Sequence, residues 1–248
     1  VLALIVIVAG VALFWYFNRD VPEEVSLEAA VAGVTETTTA GSDPTSTTAT
    51  TTPADATTSS AGHDIEGLWA VDTSIGEFSF AEATASFAGF RTNEELAGIG
   101  ETEAVGRTPD VAGTMVFEGT TLTATTIDAD LTGIVTNESR RDNRVQSALD
   151  TGTFPIATFE LSEPIDLGGV PAEGEPVLVT AVGEMTIHGI TNPIEMPLEA
   201  QLVDDLIVVI GSTEIVFADY DVTVPSAPVV LSVEDRGTLE IQLLMARA

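Results

Sequence analysis

The chain has 248 residues, no cysteine, and 39 acidic against 8 basic residues, a formal net charge of −31. Without cysteine there are no disulfides, thiolate metal sites or cysteine nucleophiles, and so acidic a surface gives nucleic acid no electrostatic attraction. The low-complexity stretch before residue 63 leaves room for one compact domain.

Residues 1–17 are apolar except for Gly10, at the short end of the roughly 17 to 25 residues that span a bilayer. The run ends in Phe14-Trp15-Tyr16-Phe17, an aromatic belt that favours a retained transmembrane anchor over a cleaved signal peptide. Flanking charge gives no orientation, because Arg19 stands beside Asp20. Residues 18–65 are rich in Thr, Ala, Ser and Pro and read as a disordered linker, with too little apolar surface to offset the entropy of ordering. As a random coil it would reach roughly 35 to 40 Å.

From residue 66 onward the pattern is that of strands. Residues 68–73 and 77–82 alternate, with Phe78 and Phe80 on one face. Residues 87–108 lack alternation and carry Gly89, Gly98, Gly100 and Gly106, which suggests an irregular insertion with a short helix near residues 93–97. Strands follow at 111–118, where Met115 and Phe117 share a face, and at 121–131. Residues 137–149 form the clearest helix, with Asn137 as cap, Glu138 at the positive end of the dipole, and Val145, Ala148 and Leu149 as its apolar stripe. Further strands are expected at 156–163, 176–188, 193–203, 206–217, 222–224, 229–233 and 238–245. The connection Gly189 to Pro193 writes a hairpin between two of them. Eight or more antiparallel strands with one short helix suit an all-β, eight-stranded closed barrel, which removes exposed edges.

The hairpin Thr186-Ile187-His188-Gly189-Ile190-Thr191-Asn192-Pro193 resembles the Thr-x-His-Gly-Val-Thr-x-Pro motif of the YceI-like family. Trp69 to Ser74, Ala104 to Thr108, Arg140 to Asn143 with Phe154 to Phe159, and Asp219-Tyr220 match in the same order, so the resemblance covers residues 66–248. It implies a lipocalin-like barrel, secreted or periplasmic, that binds a polyisoprenoid or other long-chain lipid. The chain departs from the family at Thr73-Ser74, where a His-Ser is usual. With the N-terminal helix as membrane anchor, the resemblance places the barrel outside the cytoplasm, as a single-pass cell-membrane protein that carries or sequesters its lipid without turnover. The alternative is a filled barrel serving as a surface interaction or stress-protection module. The sequence leaves a homodimer open.

The inward residues that would meet such a ligand are Phe78, Phe80, Met115, Phe117, Phe159, Leu161, Met185, Ile187, Met196 and Ile241. Any one of them serves equally as plain core, and sequence does not choose between a filled and a hollow barrel. Arg141 and Arg144, beside Arg140, are candidates for a phosphate head group or for helix pairs with Glu138 and Asp142. His188 is a third head-group candidate, though a histidine at a strand end more often fixes a turn. No catalytic set, cofactor or metal is expected: there are two histidines in all, and Asp128-x-Asp130 starts like a calcium loop but has Ser139 where a bidentate glutamate is required.

Overall fold

A computed structural model describes residues 21–40, 64–224 and 230–248 of the chain. The expected anchor at 1–17 lies outside them, as does 41–63 of the linker. Among the described residues no helix is long and apolar enough to cross a membrane.

Helix α1 (Leu27–Ala40) precedes strands β1 (Gly67–Val71), β2 (Phe87–Leu96), β3 (Gly100–Thr108), β4 (Val111–Glu118), β5 (Thr121–Asp130) and β6 (Val135–Thr136). Helix α2 (Ser139–Ala148) leads to β7 (Ile156–Leu161), β8 (Ile165–Asp166), β9 (Val177–Ile187), β10 (Ile190–Val203) and β11 (Leu206–Val216). A 3₁₀ turn (Phe217–Tyr220), β12 (Val230–Val233) and β13 (Arg236–Arg247) complete the chain. Eight strands close in the order β1-β4-β5-β7-β9-β10-β11-β13, with β13 returning to β1. All pairs are antiparallel, so the fold is an all-β closed barrel with short helices. β13 is shared: Met245–Arg247 pairs with β1, whereas Thr238–Gln242 pairs with β2. At that end β2, β3 and the short β12 extend the wall beyond the ring.

The β9–β10 hairpin turns tighter than its sequence suggests. Ile187 faces Ile190 directly, so only His188 and Gly189 form the loop, both with positive φ (52° and 75°), as a two-residue turn matched to strand twist requires. Pro193 and Pro197 lie within β10 opposite Glu184 and Thr180. These are wide pairs whose nitrogen points away from β9, and β11 joins only at Leu198. Neither proline removes a ladder bond.

Four expectations are corrected. Residues 87–108 are the long hairpin β2–β3, with no helix at 93–97. Its inward positions include Thr92 and Glu94, which hid the alternation. Residues 77–82 are not a strand; the 72–86 segment lies over the outer face of β13, where Gln242 Nε2 donates to the carbonyls of Ala83 (3.1 Å) and Ala85 (2.9 Å). Residues 222–224 make no strand. The linker is ordered at its start: Leu27, Ala30 and Val34 form an apolar stripe on α1 that packs on Val208, Ile210 and Leu244. Each large apolar side chain buried there contributes about 1.5 to 3 kcal/mol.

Beside α1 the outer face of β2, β3 and β13 is sealed over charge. Glu240 is 1% exposed and accepts from Arg91 Nε (2.8 Å) and Nη2 (3.1 Å), with Arg107 Nη2 at 3.8 Å. Arg91 also meets Glu103 at 2.7 Å. The carbonyls of Pro22 and Glu23 accept from Arg91, Glu23 also from Arg107, and Val25 N donates to Glu240. Burial pushes the Arg107 guanidinium down against the pull of Glu240. Arg91, although burial opposes it, is held above its ordinary value by Glu240 and Glu103. These arginines tie residues 22–25 to the barrel wall.

Candidate ligand cavity

The barrel interior divides in two. Ile65, Trp69, Val111, Phe117, Leu202, Ile207 and Met245 pack into one apolar cluster that forms a closed floor, with the Trp69 indole satisfied by the Ile65 carbonyl at 2.9 Å. Toward the His188–Gly189 end the strands enclose a cavity of about 660 Å³, within the usual range for small-molecule sites. Helix α2 sits at its rim.

Seven of the expected ligand residues line this cavity: Met115, Phe159, Leu161, Met185, Ile187, Met196 and Ile241. Phe117 does not; it is buried in the floor. Phe78 and Phe80 do not either, because the segment that carries them is the outer loop rather than a barrel strand. Sequence reasoning missed the contribution of the β2–β3 hairpin, Phe90, Leu96 and Ile99, and of the chain around β12, Val222, Val230 and Val233. The even spacing of Ala88, Phe90 and Leu96 was the available signal. The Phe90 ring lies against Gly106, where an added Cβ would strike it.

One wall is polar and already paired. Glu94, 6% exposed, is bound by Arg141 Nη2 and by Thr102 Oγ1 at 3.4 Å. Arg141 Nη1 donates to Asn137 Oδ1 at 2.6 Å. Asn137 in turn accepts from Val105 N and donates to the Glu103 carbonyl, so it anchors α2 to β3 instead of capping the helix. The cap is Glu138, which accepts from Arg140 N. Asp142 accepts from Thr136 N (2.8 Å) and Oγ1 (2.7 Å) rather than from an arginine. Arg141 is therefore a structural ion pair reaching across to β2. Arg140 and Arg144 stand at the cavity rim and are exposed.

His188 does not line the cavity. Its Nδ1 bonds the Tyr220 carbonyl at 3.0 Å and its ring meets Phe154 edge-on at 5.1 Å. Asn192 Nδ2 donates to the Asp219 carbonyl at 2.7 Å. Three of the sequence segments that resemble the YceI-like family thus converge on one pin that locks the hairpin, the turn after α2 and the 3₁₀ turn. Tyr220 carries this pin to the cavity wall, and burial, with Asp219 nearby, pushes its phenol up. Asp128 accepts from Thr158 and Asp130 from Thr132. Among the described residues no group of three or more histidine, aspartate or glutamate side chains could hold a metal ion.

A UPF0312 protein of Vibrio parahaemolyticus is 28% identical over 105 residues, 38% of this chain and 51% of that protein; the chain spans about half the length of this curated relative. Among solved structures, a polyisoprenoid binding domain from Saccharophagus degradans, implicated in plant cell wall breakdown, superposes with a TM-score of 0.55 at 19% identity, covering 73% of this chain and 98% of that one. That likeness shows a shared fold. BcnA of Burkholderia cenocepacia gives a TM-score of 0.48 at 16% identity, over 63% of this chain and 95% of its own. The YceI-like domain family matches residues 55–245, and with the barrel and its pinned hairpin in place, the chain belongs to that family.

Proposed function

We propose that the chain binds a polyisoprenoid or similar long-chain lipid in its barrel cavity and carries or sequesters it without chemical turnover. The cavity is the supporting observation. Its walls turn Met115, Phe159, Leu161, Met185, Met196 and Ile241 toward about 660 Å³ that opens past α2, so water there would lie against apolar surface at a cost. An apolar chain relieves that cost through area burial alone and needs few polar contacts. The polyisoprenoid class is suggested by the name of the Saccharophagus degradans domain. A hollow wall speaks against the filled-barrel interaction module.

The same reading makes residues 1–17 a membrane anchor with the barrel on the extracytoplasmic side. Pro22 is already docked on Arg91, five residues beyond Phe17. So short a connection reaches at most about 18 Å, which holds the barrel against the membrane surface rather than on a long stalk. Native mass spectrometry of the intact chain tests the binding. A copurified lipid adduct, or uptake of added polyprenol, is expected; a clean apo mass with no uptake would sink the carrier reading.

A further inference from the structure

The chain holds eight arginines and no lysine, and the described ones are nearly all engaged. Arg91 and Arg107 hold Glu240. Arg141 holds Glu94, and Arg236 holds Glu214 and Asp235. Arg247 stacks over Trp69 and donates to the Glu66 carbonyl. Arg140 and Arg144 remain: among the described residues neither side chain makes an ion pair. They stand four residues apart on α2, which puts them on one helical face, and both border the cavity mouth. The carboxylates that sequence would pair with them are turned elsewhere, Glu138 to the helix cap and Asp142 to Thr136.

Two uncommitted guanidinium groups at the rim of an apolar cavity form a place for an anion attached to an apolar chain. We propose that Arg140 and Arg144 bind the anionic head, a phosphate or diphosphate ester, of the lipid whose chain lies in the cavity, so that the ligand is an acidic lipid and not a neutral alcohol or quinone. This rests on the lipid-binding reading above and narrows its ligand class. The net negative charge of the chain does not oppose it, because in physiological salt charges more than about 8 Å away are largely screened. Each guanidinium presents a planar fork of donors that suits phosphate oxygens. Glu138 also borders the mouth, but its carboxylate is taken up by the Arg140 amide at the helix cap.

The test is a competition, followed by native mass spectrometry of the intact chain, between a polyprenol and its phosphate monoester of equal chain length. The chain is expected to bind both, the phosphate about tenfold more tightly, with the preference shrinking as salt rises. The Arg140→Gln/Arg144→Gln double variant should lose the preference while keeping its affinity for polyprenol. Arg236→Gln, at an exposed arginine that pairs with Glu214 and Asp235 and does not line the cavity, should keep both. Equal affinity for the two lipids, or a preference that survives in the double variant, would overturn the head-group site and leave the cavity reading intact. Failure to bind either lipid would overturn both.

Discussion

The two faces of β13 reverse the usual relation between polarity and burial. Leu239, Ile241 and Leu243 point into the cavity, and the first two are only half-buried. Glu240 and Gln242 point outward and are 1% and 4% exposed. The apolar face borders the cavity, whereas the polar face is roofed by residues 22–34 and the 72–86 loop. A hollow barrel needs its walls held from somewhere other than the middle, and here the outer layer supplies that support through Arg91, Arg107 and α1.

Breaking the outer face should therefore cost more than thinning the inner one. Glu240→Ala strips buried Arg107 of its carboxylate and leaves Arg91 with Glu103 alone, and should lower unfolding stability in urea by about 3 to 5 kcal/mol. Ile241→Ala, one residue along, removes a side chain that already borders a void and should cost about 2 kcal/mol, the low end for such truncations. Equal losses would contradict the contrast. Ala157→Phe sharpens it from inside: Ala157 borders the cavity and is half-buried, so the ring should fill space, abolish lipid uptake and leave the melting temperature within a few degrees.

Smaller effects are expected at the pin and at the rim of the sheet. His188→Ala loses the bond to the Tyr220 carbonyl and the Phe154 edge contact, for about 1 to 2 kcal/mol, with lipid affinity unchanged because the ring does not face the cavity. Asn at 188, which tolerates positive φ, should cost less than Ala. Asp130 is held below the usual carboxylate range by hydrogen bonds from the Thr132 hydroxyl and amide. Its folded form holds the proton less tightly than the unfolded chain, so its stabilisation is present above the ordinary aspartate pKa and is lost as pH falls through the lowered one. Acid titration of stability should be slightly flatter in Asp130→Asn.

The sequence made some of this plain and hid the rest for identifiable reasons. Period-two alternation located β4, β5, β7, β9, β10, β11 and β13 because each has an apolar inner face. It failed on β2 and β3, where Thr92, Glu94 and Thr102 face inward: Glu94 is bound by Arg141 and Thr102, and the Thr92 hydroxyl donates to the Arg236 carbonyl. It also could not grade depth: Met115 and Phe117 share a strand face, yet one lines the cavity and the other plugs the floor. Helix α1 was hidden because Leu27, Ala30 and Val34 are scattered among small polar residues, and their partners Val208, Ile210 and Leu244 come from the far end of the chain. The basic cluster on α2 was visible in sequence, but only the partners of Arg141 separate the structural arginine from the two at the mouth.

The four methionines supply the most direct test of a lipid in a half-hollow barrel. Met115, Met185 and Met196 line the cavity, while Met245 is buried in the floor. In methyl NMR of the intact chain labelled at methionine, added polyprenol should shift the first three resonances and leave that of Met245 in place. If the three cavity signals stay fixed at saturating lipid, or all four move together, the ligand does not enter this cavity.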